Sequence, residues 1–506
     1  MQAWVRRVVV FVVLAVFSVA CSAERPLDVT AVAPADPQPI EGDRSEAFTS
    51  IESRSAAEEP DSSGVEATSS REQSAPAVVR SNDVVTSTTT VPDGSASGDG
   101  SLLDADESST ELPSTTAAVS NAPPSATYCT APRTGVLTEP PQNVVDALNA
   151  AANHPDLADL DVSFSVWIDG WGEVATRDPD LALIPASNEK ILVAHAVNEL
   201  LDPEATIDTS VEQVGSDLVL RAAGDPTFST WRANLLIEQV VAAGVTSANR
   251  LIIDVGDFPQ PSAAPGWQSW QIRNFVGPLS GFMLDDNRWN TSDEFLETPA
   301  LINGQWFADA LRNAGVAVGS VELGSPDAGR SVGVVQSAPI GSLIRDMMLF
   351  SDNQIADMMV LQLGLLEGEG TLEDGIDQIE AELAELCVPL AGVMDDGSGL
   401  SRANLRSARE FQEILRAMRD TETADVFAAQ LPIGGVSGTL RSRFGGDAGR
   451  IFAKTGTVFG GRALSGYAVT DSGRDVVFSV LINGEREATS ASLSAMDALV
   501  RTILRS

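Results

Sequence analysis

Three short segments carry residue types suited to acyl transfer: Ser187-Asn188-Glu189-Lys190, Ser351-Asp352-Asn353 and Lys454-Thr455-Gly456. They read S-x-x-K, S-x-N and K-T-G, in that order along the chain. A serine hydroxyl is a poor nucleophile until a base takes its proton, and an amine can be that base once burial or a second cation lowers its pKa. At i and i+3 of a helix, Ser187 and Lys190 project from one face within side-chain reach. Lys190 is therefore the candidate base, and Lys454 the candidate second cation. Ser351 could pass the proton to a leaving amine, while Asn353 could bond both Lys190 and a substrate amide. Thr455 could hold a carboxylate beside Lys454, and Gly456 would let a substrate backbone lie against the strand edge. The backbone N–H groups of Ser187 and Thr457 would form the oxyanion hole.

Each motif alone is weak, because a serine at a helix start is usually a cap. Lysine usage strengthens the set. Lys and Arg together number 32, and Lys190 and Lys454 are the only lysines. Where a generic positive charge would do, the chain uses Arg, so a surviving Lys points to a need for a compact ammonium of adjustable pKa. Only two histidines occur, His154 and His195, which excludes a three-His metal site. His195, one turn beyond Lys190, reads as a helix-surface or packing residue. No cofactor or metal is expected. The formal net charge of −39 argues against nucleic acid as a partner.

The elements that must hold these residues can be read from periodicity. Val162 to Ile168 alternates like a half-buried strand, and Gly170-Trp171-Gly172 turns it into a hairpin. Ile191, Leu192, Ala194, Val197, Leu200 and Leu201 have helical spacing, which puts Ser187 at a helix N-terminus. Residues 206–330 mix strands (Leu218 to Arg221, Leu251 to Asp254) with helices (Thr230 to Ala242, Gly304 to Ala314). Ser351 to Leu365 is a second apolar-faced helix. Arg450 to Val458, Arg462 to Thr470 and Arg474 to Leu481 are strands, and Ala491 to Leu504 is a closing amphipathic helix. Strands at both ends around a helical middle imply a mixed α/β domain whose sheet joins the two ends.

The N-terminus reads as an export signal over residues 1–22, with Arg6-Arg7 before the apolar run Val8 to Phe17. Ala20-Cys21 looks like a lipoprotein cleavage site, so Cys21 is a lipidation candidate and membrane anchoring through it is expected. Ser18 departs from that pattern, which keeps plain cleavage open. Residues 23–127 are Ser, Thr, Pro, Ala and acid, and read as a disordered stalk. Export to an oxidising compartment leaves Cys129 and Cys387 as a candidate disulfide.

These segments together resemble the D-alanyl-D-alanine carboxypeptidase/endopeptidase group of penicillin-binding proteins (class C, low molecular mass). The likeness runs from about Val162 to the C-terminus. It rests on Leu183-Ile184-Pro185-Ala186-Ser187, Gly224-Asp225-Pro226, Ala264-Pro265-Gly266-Trp267, Ser351 to Asp357, Asp396-Gly397-Ser398-Gly399-Leu400-Ser401-Arg402, Leu431-Pro432 and Ala453 to Thr457. The resemblance implies a β-lactamase/DD-peptidase-like sheet flanked by helices, over residues 128–205 and 331–506, with a smaller inserted α/β domain at 206–330. It implies that Ser398, Leu400 and Arg402 line the cleft and that Asp225 helps read a peptide stem. Peptidoglycan stem peptides would be the substrate, and β-lactams covalent inhibitors. The interval from Ser187 to Ser351 is shorter than the family usually has. The chain runs from Asn287-Arg288-Trp289-Asn290 almost directly to Leu301-Ile302-Asn303-Gly304, as though one of two inserted domains were missing. A serine β-lactamase and a non-catalytic wall-binding lipoprotein are the competing readings. The Gly-rich loop and the inserted-domain signatures argue against the first; intact Ser187, Lys190 and Lys454 argue against the second.

Overall fold

The computed structural model describes residues 137–506, save 260, 486–488 and 490. The expected signal segment, Cys21, the stalk and Cys129 lie outside the described residues.

Five strands make the central antiparallel sheet in the order β2-β1-β10-β9-β8. They are β1 (Asp161–Ile168) and β2 (Gly172–Arg177) from one end of the folded region, and β8 (Ile451–Val458), β9 (Gly461–Val469) and β10 (Asp475–Asn483) from the other. The pairing of β1 with β10, Phe164 opposite Val480, joins the two ends. Alternation in β1 sends Val162, Phe164, Val166 and Ile168 to one face, where helices Gln142–Ala152 and Leu493–Leu504 cover them. Ser163 and Ser165 fall on the other face. There the Ser163 hydroxyl accepts from the Ala408 amide at 2.9 Å, at the start of helix Ala408–Met418. Small polar residues on that face let a helix approach the sheet closely.

Beyond this face lies a helical layer built around Lys190–Leu200, Ile340–Phe350 and Asn353–Gly364. Lys190 through Val197 are all buried, so the first two turns of this helix are enclosed on every side and run through the interior. The sequence reading missed Ile340–Phe350, Leu372–Glu385, Ala408–Met418 and Ala424–Gln430 as helices.

The inserted module has its own sheet, in the order β6-β5-β4-β3-β7. Its strands are β3 (Asp208–Val214), β4 (Asp217–Ala222), β5 (Ser247–Asp254), β6 (Ala317–Leu323) and β7 (Arg330–Gln336). Helices Thr230–Ala242 and Pro299–Asn313 cover one face. Because β7 pairs with β3, the module ends at Gln336, and the expected border at 330 falls on its last strand. Nor is the inserted stretch wholly separate: Phe258, Ala264, Trp267, Val276, Leu279 and Met283 pack into the core of the helical layer.

Candidate active site

Ser187 sits in a 3₁₀ turn, Ala186–Glu189, that leads into the buried helix beginning at Lys190. Ala186 has φ 49, a left-handed conformation that costs a non-glycine residue about 1–3 kcal/mol. Two glycines let neighbouring segments lie close against that bend. A Cβ on Gly399 would lie 1.9 Å from the Ala186 carbonyl oxygen, and one on Gly456 would lie 2.9 Å from the Pro185 oxygen. Gly456 thus lets the nucleophile turn press on β8, a closer neighbour than the substrate backbone expected from sequence.

The S-x-N segment joins two helices. Ser351 has φ 61 and ends Ile340–Phe350, and Asp352 caps the next helix by accepting from the Ile355 amide at 2.9 Å. The expected helix therefore begins at Asn353, with Ser351 and Asp352 as its linker.

Lys190 brings two motifs together. Its Nζ lies 3.2 Å from Ser187 Oγ and 2.8 Å from Asn353 Oδ1, and it also donates to the Ser398 carbonyl. An ammonium satisfies all three acceptors. A neutral amine keeps two donors for Asn353 and Ser398 and turns its lone pair to the Ser187 hydroxyl. Asn353 is oriented in turn by donating to the Phe275 carbonyl at 3.1 Å. Lys454 Nζ donates to Ser351 Oγ at 2.8 Å and to the Thr455 carbonyl at 2.9 Å, which ties the third motif to the second. Thr455 Oγ1 donates to Thr439 Oγ1 at 2.8 Å.

Both lysines are fully buried. Burial lowers Lys190 to about 8, against the opposing pull of Asp357, Asp396 and Asp352. Lys454 falls well below its ordinary value, through burial first and the charge of Lys190 second. Burial is the largest cause at both lysines, beyond the mutual repulsion of the two ammonium groups expected from sequence.

The Gly-rich loop is organised from beneath by carboxylates to which the sequence reading assigned no role. Asp357 Oδ1 accepts from the amides of Gly397 and Ser398, each at 2.9 Å, so it aims the Ser398 carbonyl at Lys190. Asp396 accepts from Trp267 Nε1 at 2.6 Å and from the Gly399 and Ser401 amides, each at 2.7 Å. Asp357 lies one helical turn after Asn353, a spacing that could have found it. Leu400 is nearly buried, and its carbonyl accepts from Gln271 Nε2 at 2.8 Å. Arg402 is exposed and donates to the Phe459 carbonyl at 2.7 Å.

β8 is an edge strand, so one side of its backbone has no neighbouring strand over its second half. Near its start, the Ala453 amide points outward to the Pro432 carbonyl. Strand alternation gives Thr455 and Thr457 amides the same direction, toward the open edge.

One expected participant has other partners. Asp225 is buried; its carboxylate accepts from the Thr227 amide and hydroxyl and from Arg232 at 2.8 Å. It organises the Gly224-Asp225-Pro226 turn rather than opening to a cleft. His195 is buried, with Nδ1 4.0 Å from Glu199 and Nε2 3.9 Å from Glu382, and burial pushes it down to about 4. It is a neutral packing residue. Cys387 is disulfide-bonded, while Cys129 lies outside the described residues. Among the described residues no group of His, Cys, Asp and Glu is arranged to hold a metal, and no helix is long and apolar enough to cross a membrane.

Comparison with known proteins identifies the family and the fold. Residues 144–295 and 291–503 match the D-Ala-D-Ala carboxypeptidase 3 (S13) family. The two stretches meet beside Trp289-Asn290, where the sequence reading puts the missing inserted domain. A carboxypeptidase of Mycobacterium tuberculosis is 33% identical over 387 residues, covering 70% of this chain and 82% of that protein. A D-alanyl-D-alanine carboxypeptidase of an Actinomadura strain is 28% identical, covering 65% and 78%. The crystal structure of penicillin binding protein 4 from Haemophilus influenzae superposes with a TM-score of 0.62 at 19% identity, covering 71% of this chain and 98% of that one. That likeness shows the expected mixed α/β fold, a penicillin-binding-protein sheet flanked by helices with an inserted module. The chain belongs to the D-Ala-D-Ala carboxypeptidase 3 (S13) family.

Proposed function

We propose that this chain is a serine D-Ala-D-Ala carboxypeptidase/endopeptidase that acts on peptidoglycan peptides through an acyl-enzyme on Ser187. One observation carries the reading: Lys190 Nζ lies 3.2 Å from Ser187 Oγ, while Asn353 and Ser398 offer acceptors for its two remaining protons. Neutral Lys190 takes the Ser187 proton as Oγ attacks the carbonyl of the penultimate D-Ala. The developing oxyanion is met by the amides of Ser187 and Thr457. As the peptide bond breaks, the proton passes from Lys190 through Ser351 to the leaving amine. Water then hydrolyses the ester by the reverse path, returning Ser187 and a shortened peptide. Lys454 and Thr455 hold the substrate carboxylate, and Arg402 and Leu400 border the cleft beside them.

A Haemophilus influenzae relative in fold has been solved as a complex with a β-lactam at 18% identity and a TM-score of 0.59, which supports β-lactams as acylating inhibitors here. A peptidoglycan substrate lies outside the cytoplasm, and an exported protein suits it. We further propose cleavage before a lipidated Cys21, a stalk over residues 23–127 and a Cys129–Cys387 disulfide. The disulfide-bonded state of Cys387 supports the last of these.

The test is incubation with benzylpenicillin and peptide mass mapping of the adduct. An adduct on Ser187, absent from a folded Ser187→Ala variant, is expected. An adduct on another serine, or none, overturns the assignment. Slow release of the penicilloyl group is expected, and rapid turnover would instead mark a β-lactamase.

A further inference from the structure

The x positions of S-x-x-K carry no role in the chemistry above, yet one of them is a fully buried carboxylate. Glu189 lies two residues beyond Ser187 and directly before Lys190, and it has no solvent exposure. Its Oε1 accepts from Arg406 Nε at 3.2 Å. Arg406 is as deeply buried, and its Nη1 donates to Glu410 Oε1 at 2.7 Å. Two carboxylates and one guanidinium are thus enclosed together. Glu189 Oε2 and Arg406 Nη2 have no hydrogen-bond partner. Such an arrangement is a poor source of stability, because desolvating the charges offsets their attraction. Its position suggests another use.

Arg406 grips the nucleophile turn from both ends. Its backbone exchanges two hydrogen bonds with Leu183, each 2.9 Å, just before the turn. Its side chain holds Glu189 just after it. Between these two attachments lie Ala186, in its left-handed conformation, and Ser187. The stem of Arg406 is itself wedged: a Cβ on Gly392 would lie 2.5 Å from its Cδ. The Gly392 amide donates to Glu410 Oε1 at 3.3 Å, which closes the assembly.

We propose that Glu189 and Arg406 are positioning residues for acylation: together they clamp the strained turn so that Ser187 Oγ stays within reach of Lys190. The proposal rests on Ser187 being the acylated residue. The clamp touches neither substrate nor reacting atoms, so its loss misplaces the nucleophile without weakening ligand binding. A misplacement of about 1 Å in such a geometry costs about 100-fold in rate. Burial raises the Glu189 carboxyl to about 7, against the pull of Arg406 and with added repulsion from Asp396 and Glu410. The clamp therefore changes charge near neutral pH.

The experiment measures penicillin acylation of the full chain by stopped flow, separating the acylation rate constant from the dissociation constant of the encounter complex. Two variants are used: Glu189→Gln, which is isosteric, and Glu189→Met with Arg406→Met, which replaces the pair by apolar side chains. For folded variants the expected result is a rate constant lowered about 10- to 100-fold with the dissociation constant within about twofold. Glu189→Gln is also expected to lose an inflexion near pH 7 from the rate profile. If the double variant does not fold, Glu189→Gln alone decides. A folded variant that acylates at the wild-type rate, or one that loses binding and rate together, overturns the clamp. Absence of any Ser187 adduct in the wild type would overturn the functional reading itself, a separate outcome.

Discussion

The two lysine pockets are equally closed to solvent but differently furnished. Lys190 faces a hydroxyl, an amide oxygen and a carbonyl, with Asp357 and Asp396 close enough to raise its pKa against burial. Lys454 faces Ser351 Oγ and the Thr455 carbonyl, and only lowering influences act on it. The first pocket is poised for an amine that gains and loses a proton near neutral pH. The second offers its lysine no anion, and in the proposed reaction a substrate carboxylate would supply one. The same residue type thus sits in two electrostatic settings, and the neighbouring anions make the difference.

Breaking the first pocket should have the largest effect. Lys190→Arg keeps a positive charge but cannot give up its proton. Penicillin acylation should fall by about 10²–10⁴-fold or more, the scale of a lost general base, with circular dichroism unchanged. Near-normal acylation would show that Lys190 is not the base and would dissolve the distinction between the pockets.

Lys454→Arg tests the other half. The charge survives in a larger, planar group, so the expected loss is about 10- to 100-fold, from displaced geometry rather than lost chemistry. The informative quantity is the acylation rate of both arginine variants measured side by side. A loss at Lys454 as deep as that at Lys190 would mean that Lys454 also titrates during turnover.

The Asp357 carboxyl behind Lys190, which burial pushes well above the ordinary carboxylate range, can be probed by pH. Asp357 raises the pKa of Lys190, so Asp357→Asn should lower it further. Neutral Lys190 would then appear at lower pH, and the acidic limb of the acylation profile should move toward acid. The Gly397 and Ser398 amides keep an acceptor in Asn, so the maximal rate should change little. An unmoved limb would show that Asp357 is uncharged in the working enzyme.

The smallest effect on chemistry is expected behind Lys190, at His195. Its folded pKa, about 4, lies below the ordinary 6.5. The unfolded chain therefore binds the proton more tightly, and stability is full above pH 6.5 and declines as pH falls toward 4. His195→Leu should flatten the fall of Tm across that window while leaving acylation at pH 7.5 within about twofold. An unchanged Tm–pH curve would remove His195 from the acid response.

The amino-acid sequence alone pointed to the family and to most of the frame. The three motifs, the lysine scarcity and the Asp-Gly-Ser-Gly-Leu-Ser-Arg run led to the family and to Ser187 and Lys190 as the proposed nucleophile and base. Hydrophobic alternation located β1, β4 and β8 to β10 within a residue or two, and the second half of β5, because a side chain's face on a strand depends only on its parity. Ile340–Phe350 and Leu372–Glu385 are amphipathic, so their helical spacing too is legible in the sequence. Tertiary structure decided what spacing cannot express. Asp225 looked like a recognition residue until Arg232 and Thr227 were found around it. Gly456 looked like space for substrate until Pro185 and Ala186 filled it. Asp357, Glu189 and Arg406 drew no role from sequence, because a carboxylate's purpose depends on which charges and amides the fold brings within a few ångströms. Burial, which sets the pKa of both lysines, is likewise a property of the whole assembly: a lysine in a short motif carries its ordinary value until helices and a sheet close over it.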